Sequence, residues 1–568
     1  MDIFANLVNG IIGVLSPTTL LFLCIGVLVG MFVGAIPGLG ASAGLAILLP
    51  LTFGLDPTTA IVMLAAVYYG AMYGNTITAV LINTPGDSAG VATTLEGHPM
   101  AQQGRAGPAL VIAAVASFAA GTIAVVLLTV TAPMMAGVAA SFGPPELFLL
   151  VVIGLLTLIV LVGRNWLRGL VSVLIGFAIG TVGIDVGGGT QRYTFGSTEL
   201  INGINFIPVA IGLFGLGEIL WTLYRGGHLD GASPMRLDRR AGAFWPSRQE
   251  WRQARMPIAR NTPLGFVLGV IPGAGATVAS LIAYSVEKGL SKRPERFGKG
   301  AVEGLAAPES ANNAAATGAM VPLLTLGIPG SASTAVLLGG FLMWGLQPGP
   351  LLMAEEPQFA WGLIASMYLG NVMLLLVSIF CIPMFAAVTR TPFRTLGPLV
   401  IILCAFGAFA VNGSVVEVGV MFACGVLGFF MRKHGMSPAA TVIALVLGPI
   451  AEETLRQTLL LDGGTEVFLQ RTPSLILLGV MVLVLSAPLL GAPLKRGAAR
   501  IAGRRRAAGA AAGADGEPGG EPGEPGGPGG SGGEPGGPGG PGGPHDGPEG
   551  AAVGGPGDER RNEGSGSG

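Results

Sequence analysis

The sequence predicts an all-α polytopic membrane protein built from two inverted-topology repeats, each a re-entrant hairpin plus about five spans with broken helices. Three observations lead there. Hydrophobic residues make up 51% of the 568-residue chain and charged residues 11%, with a mean hydropathy of +0.67, where soluble domains carry roughly 25% charged residues. The apolar runs are long and continuous, as in membrane helices, and lack the alternation of a membrane barrel. Finally, "GAIPGLGAS" at 34–42 returns as "GVIPGAGAT" at 269–277.

The second copy fixes the first element. It sits in an apolar stretch over 263–286, between two basic loops. One holds Arg225, Arg236, Arg239, Arg240, Arg248, Arg252, Arg255 and Arg260, the other Lys288, Lys292, Arg293, Arg296 and Lys299. Basic loops face the cytoplasm, so a simple crossing would break the charge rule and a re-entrant hairpin satisfies it. Its buried tip is Pro272 to Gly275, and non-helical backbone at that depth survives only where protein or a water-filled cavity satisfies it. The first copy, over 18–54, has flanks without Lys or Arg. That hairpin is expected to open on the opposite, periplasmic side.

The remaining spans follow in order. Cytoplasmic markers at Arg105, at Arg164 and Arg168, and in the 225–260 loop connect spans near 58–83, 109–139, 146–163, 169–184 and 204–224. In the second half, Arg390 and Arg394, Arg432 and Lys433, and 495–505 connect spans near 304–330, 360–388, 396–411, 415–431 and 438–450, with an extra one near 473–491. The expected organisation is a first repeat over 1–228, a cytoplasmic basic linker over 229–262, a second repeat over 263–495 and a tail over 496–568. The tail is basic and then Gly/Pro-rich, without a strict triplet period, and reads as disordered. The N-terminus lacks a basic n-region, so the first apolar stretch, 20–36, is expected to be retained.

Each half carries a second interruption: "YGNTITAVLINTPGDSAG" at 73–90 and "PESANNAAATGAMVPLLTLGIPGSAST" at 308–334. Asn75, Thr76, Asn83 and Thr84 are expected to answer Ser310, Asn312, Asn313 and Thr325, and "TPGDS" to answer "IPGSAS". Pro-Gly breaks free backbone groups from helical partners, half-helix N-termini then attract an anion, and freed carbonyls with Asn or Ser oxygens suit Na⁺. A carboxylate could thus be held without a buried arginine. Close helix packing by small residues is the bland alternative for any one motif, whereas four motifs paired across two halves point to a substrate or ion site.

Ionisable residues inside apolar stretches are functional candidates. Asp87 and Glu309 either bind the coupling cation or lie solvated at the interface. Glu146 and Glu218 read as snorkelling span ends and His98 as a loop residue. Cys24, Cys381, Cys404 and Cys424 lie in apolar stretches and fit neither a metal site nor a disulfide framework. No metal-spaced cluster and no HExxH or P-loop occurs, so neither an enzyme nor a resident cofactor is expected. No basic footprint for nucleic acid is present.

The blocks "GAIPGLGASAGLAILLPLTF", "YGAMYGNTITAVLINTPGD", "LEGHPMAQQGRAGPAL" and "FGKGAVEGLAAPESANNAAATGAMVPLLTLGIPGSASTAVLLGG" closely resemble the large permease subunit of tripartite tricarboxylate transporters, the TctA family, over about 5–495. The resemblance implies a multi-pass protein of the bacterial inner membrane. It implies uptake of an organic acid captured by a periplasmic binding protein, a small four-helix membrane subunit as partner, and an ion gradient, usually Na⁺, as the drive. It also implies an elevator-type movement. Family-matched positions are Pro37, Gly38, Gly40, Asn75, Pro85 and Gly86, then Pro272, Gly273, Gly275, Glu309, Ser310, Asn312, Asn313, Pro329, Gly330 and Ser331. Ser42, Thr76, Asn83, Asp87 and Thr277 complete the expected substrate and ion site. Asn75-Thr76 departs from the family, which often has a Gly-Ser pair there. A related tripartite dicarboxylate permease family shares the logic but lacks "PESANNAA"; a channel or an intramembrane enzyme are the other readings.

Overall fold

The computed structural model describes residues 3–161, 165–185, 187–225, 244–388, 393–461 and 464–486, all within one unit, Met1–Leu494. The expected disordered tail, residues 229–243 of the expected linker, and the markers Arg164 and Arg390 lie outside the described residues. Among the described residues the chain is helical apart from one two-stranded ribbon, β1 (Gly183–Ile184) with β2 (Gln191–Arg192), paired antiparallel. Eight of the described helices are long and apolar enough to cross a membrane.

The helices of seven residues or more run as follows in the first half. They are α1 (Ile3–Val14), α2 (Pro17–Gly34), α3 (Gly40–Leu48), α4 (Pro57–Ile82), α5 (Val91–Gln102), α6 (Ala106–Ala139), α7 (Pro144–Leu161), α8 (Trp166–Gly180) and α9 (Phe206–Tyr224). The second half continues with α10 (Arg248–Val270), α11 (Gly275–Leu290), α12 (Val302–Gly318), α13 (Met320–Leu326), α14 (Ala332–Met343), α15 (Pro357–Phe380), α16 (Ile382–Val388), α17 (Phe393–Asn412), α18 (Val415–Lys433), α19 (Pro438–Leu461) and α20 (Thr472–Ser486).

Local signals set these boundaries. Asp56 caps α4 by accepting from the Thr59 N–H, with Pro57 in the first helical position. Ser247 and Glu250 form a reciprocal capping box on α10. That cap starts α10 at Arg248, so the helix includes arginines expected in a linker. Helices α1, α5 and α14 match no span expected from the sequence. His98, expected in a loop, lies on α5 with its Nδ1 3.1 Å from the Val80 carbonyl.

The same helix–break–helix pattern occurs in both halves, held by the same packing. In the first half α2 lies against α4 through Gly26, Gly30 and Gly34, spaced every fourth residue. A Cβ on Gly30 would stand 2.4 Å from the Val67 carbonyl oxygen, and one on Gly34 2.3 Å from that of Ala71. In the second half α10 meets α12 through Gly265 and Gly269, where a Cβ would stand 2.4 Å and 2.2 Å from the Ala311 and Ala315 oxygens. Backbones this close are the small-residue packing of membrane helices, which need contact because lipid supplies no hydrophobic drive between them. The large core side chains Trp361, Tyr73, Phe341 and Phe385 are fully buried around this frame.

Candidate functional site

The four breaks have matched backbones. Gly38 and Gly40 take φ of +83° and +65°, and Gly273 and Gly275 take +84° and +57°. This left-handed region is open to glycine without a Cβ penalty. After α4, Asn83 is left-handed (φ 56°), and after α13 so is Gly327 (φ 69°). Pro-Gly follows each cap, and then a residue that caps the next helix: Asp87 accepts from the Ala89 N–H and Ser331 from the Thr334 N–H. Counting from the two caps pairs Asp87 with Ser331 and sets Asn75 and Thr76 against Ala319 and Met320. The expected match of Asn75 and Thr76 to Ser310 and Asn312 is therefore out of register, because the caps, not the polar clusters, align the halves.

The breaks also touch each other. Asp87 Oδ2 accepts from the Ala41 N–H at 3.2 Å, tying the first break to the start of α3. The Gly273 N–H donates to the Gly330 carbonyl at 2.9 Å, the equivalent tie in the second half. Across the halves, Ser88 Oγ lies 2.7 Å from Thr277 Oγ1, and Tyr68 Oη 3.4 Å from Ser331 Oγ. Together they enclose a cavity of about 710 Å³, within the usual range for small-molecule sites.

Of the residues expected to form the site, Gly38, Gly40, Ser42, Gly86, Asp87, Gly273, Gly275, Thr277 and Ser331 line this cavity, as does Pro85. Pro37, Pro272, Pro329 and Gly330 belong to the breaks but are not on its wall. Asn75, Thr76, Asn83, Glu309, Ser310, Asn312 and Asn313 are also off the wall. Thr76, Glu309 and Asn313 among them belong to a separate buried nest around the Glu309 carboxylate. Glu309 is fully buried and accepts from Thr76 Oγ1 (3.0 and 2.9 Å to its two oxygens), from Thr93 Oγ1 and from Ser117 Oγ at 3.4 Å. Asn313 Nδ2 donates to Ser117 Oγ at 2.8 Å. The Asn75 Oδ1 and both side-chain polar atoms of Asn312 are buried without a hydrogen-bond partner. Glu309 is thus a hard-oxygen nest one helical turn behind the cavity wall, since Met72 on α4 lines the cavity and Thr76 follows it by a turn.

Several wall residues were not legible. Arg432, expected only as a cytoplasmic marker, lines the cavity and pairs with Glu218 at 2.6 Å. The expectation that the core around the motifs holds no arginine fails here, because α18 lies alongside α9 and brings Arg432 next to Glu218. Glu218 is consequently an ion-pair partner rather than a snorkelling end. Glu146 is not solvated either: it is fully buried, accepts from the Gly143 N–H and Ser474 Oγ, and pairs with Arg471 at 3.2 Å. Glu96, in the middle of "LEGHP", accepts from Tyr284 Oη, from the Gly300 and Ala301 N–H groups at 2.8 Å each, and from the Gly298 N–H. It anchors the strap that leads into α12.

A second cavity of about 1070 Å³ lies along the other ends of α14 and α19, with Asp185, Arg192, Glu452 and Arg456 on its wall. Arg192 pairs with Glu452 at 3.0 Å and Arg456 with Asp185 at 3.2 Å. Burial pushes the Asp185 carboxyl up, but the Gly187 N–H and then the Arg456 and Arg192 guanidiniums outweigh it and hold the group below the ordinary aspartate value. No three His, Cys, Asp or Glu side chains group as a metal site among the described residues.

Comparison with known proteins agrees with the motifs. An uncharacterised 52.8 kDa protein of Agrobacterium vitis, from the TAR-I ttuC' 3' region, is 41% identical over 494 residues, covering 86% of this chain and 96% of that protein. A second protein of Agrobacterium vitis, from the TAR-II ttuC' 3' region, is 40% identical over 225 residues, 39% of this chain and 93% of its own length. No solved structure matches. Residues 20–443 match the profile of the tripartite tricarboxylate transporter TctA family, and the chain belongs to that family.

Proposed function

We propose that this chain is the large membrane subunit of a binding-protein-dependent secondary transporter that imports tricarboxylates or related organic acids on a cation gradient, with Na⁺ as the coupling ion. The family is one of transporter permeases, not enzymes, and its tripartite organisation implies a solute-binding protein and a small membrane subunit. The observation that carries the reading is the single cavity whose wall takes breaks from both halves. Three half-helices, α3, α11 and α14, begin at that wall, and their N-termini favour a carboxylate.

Cation coupling draws on the Glu309 nest. A lone carboxylate buried among hydroxyls, with no Lys or Arg hydrogen-bonded to it among the described residues, is costly unless a cation accompanies it. Asp87 on the cavity wall is the second candidate. The two halves act in this reading as inverted repeats with re-entrant tips in the bacterial inner membrane. The cavity reaches the α18–α19 connection at Arg432 to Pro438, which the charge rule places in the cytoplasm, so the state is inward-facing. One half of the breaks then moves past a scaffold to open the other side, as an elevator does. Uptake of labelled citrate into proteoliposomes holding the chain with its two partners tests the function. Saturable uptake that follows an imposed Na⁺ gradient supports it, and uptake indifferent to both Na⁺ and proton gradients contradicts it.

A further inference from the structure

Among the described residues, one ion pair faces the central cavity from outside the breaks. Arg432 Nη2 lies 2.6 Å from Glu218 Oε2, and both residues line the cavity wall. Their side chains keep 18% and 20% of their exposure, so each can reach a ligand without unfolding. The pair leaves the guanidinium incompletely used: its Nε is buried without a hydrogen-bond partner. A guanidinium carries five donors in a planar fork suited to two carboxylate oxygens.

The other charges around the pair define what it can take. Asp87 also lines the cavity, but its carboxylate is engaged by the Ala41 and Ala89 N–H groups and the Ser88 hydroxyl. The cations next to the pair are engaged by aromatic rings, with Arg225 over Trp221, itself on the cavity wall, and Lys433 over Tyr224. On the same cavity wall, α11 begins without a side-chain cap, and a Cβ on Gly275 would meet nothing within 4 Å. The cavity wall therefore carries both an uncapped helix N-terminus and an arginine paired with a single carboxylate.

We infer that Arg432 is the ligand for a second carboxylate of the substrate, and that Glu218 occupies it in the empty site and is displaced when a di- or tricarboxylate binds. The inference rests on the reading of the cavity as a substrate site. It selects acids with two carboxylates over monocarboxylates, because only they can engage the uncapped α11 end and Arg432 together.

Binding of citrate, succinate and acetate to the purified full chain, by calorimetry, tests this. Glu218→Gln removes the competitor and is expected to tighten citrate and succinate several-fold. The double variant Arg432→Gln/Glu218→Gln leaves no unpaired charge, so it keeps the fold, and is expected to weaken both by about tenfold or more without changing acetate. A double variant that binds citrate like the wild type, or a Glu218→Gln chain that binds it more weakly, overturns the exchange while leaving the cavity reading intact. A wild-type chain that saturates with neither citrate nor succinate overturns both.

Discussion

The Ser88 and Thr277 hydroxyls stand 2.7 Å apart although 189 residues separate them in sequence. The contact joins the Pro-Gly break of the first half to the start of the half-helix that follows the hairpin tip of the second. Both residues line the same cavity, which takes wall residues from both halves.

Cysteines in place of Ser88 and Thr277 are expected to form a disulfide on mild oxidation, since the two hydroxyl positions lie within bridging range. Citrate uptake should stop in the oxidised protein and return with reductant. The chain's free cysteines Cys24, Cys381, Cys404 and Cys424 are replaced beforehand. Uptake that persists in the fully bridged protein would show that the two breaks travel together.

Glu309→Gln preserves the shape of the nest but removes its charge. It is expected to leave the protein folded and to abolish the Na⁺ dependence of uptake, and Thr93→Val should raise the Na⁺ concentration needed for half-maximal rate. Unchanged Na⁺ dependence in both would remove the nest from coupling. Glu309→Ala is expected to cost about 2–4 kcal/mol, because it strands the hydroxyls of Thr76, Thr93 and Ser117 around a void.

Glu96→Ala is expected to destabilise by about 3 kcal/mol or more, since it leaves the Gly298, Gly300 and Ala301 N–H groups and Tyr284 Oη without their acceptor. Thermal unfolding in detergent measures it. Glu303→Ala on α12, without such contacts to a strap, serves as the comparison and should lie within about 0.5 kcal/mol of wild type.

Acid should weaken the ion pairs outside the membrane. Burial raises the Glu250 carboxyl, but the Arg105 guanidinium and the Ser247 N–H and hydroxyl outweigh it and hold it below the usual glutamate value, as Asp185 is held below its own. A carboxyl lowered by folding contributes stability above its unfolded value, which is lost as pH falls through the folded one. The unfolding temperature should therefore stay level from pH 7 to about 5 and fall below about pH 4. An Asp185→Asn/Glu250→Gln chain should show a shallower fall, and an identical acid limb in that chain would contradict the assignment.

The breaks were legible because Pro and Gly carry local meaning. Gly38, Gly40, Gly273 and Gly275 needed left-handed backbone, and the motif repeated it. The spans were legible as apolar runs. Arg432 was not, because a basic residue at the end of an apolar run reads as a topology marker, and nothing local says that α18 packs alongside α9. Glu309 and Asn312 sat in a quoted motif, yet the sequence could not separate cavity wall from buried nest: that depends on which face of α12 meets α4 and α6. Helices α5 and α14 were missed because each follows a Pro-Gly break that reads as an ending.

The central claim is that the cavity shared by the two halves holds the substrate. Its most direct test is the rate at which a membrane-impermeant thiol reagent modifies Thr277→Cys, in a chain lacking the native cysteines, with and without citrate. Protection that saturates over the same citrate range as uptake is the predicted result. A modification rate unchanged by citrate at concentrations that saturate uptake would contradict the claim.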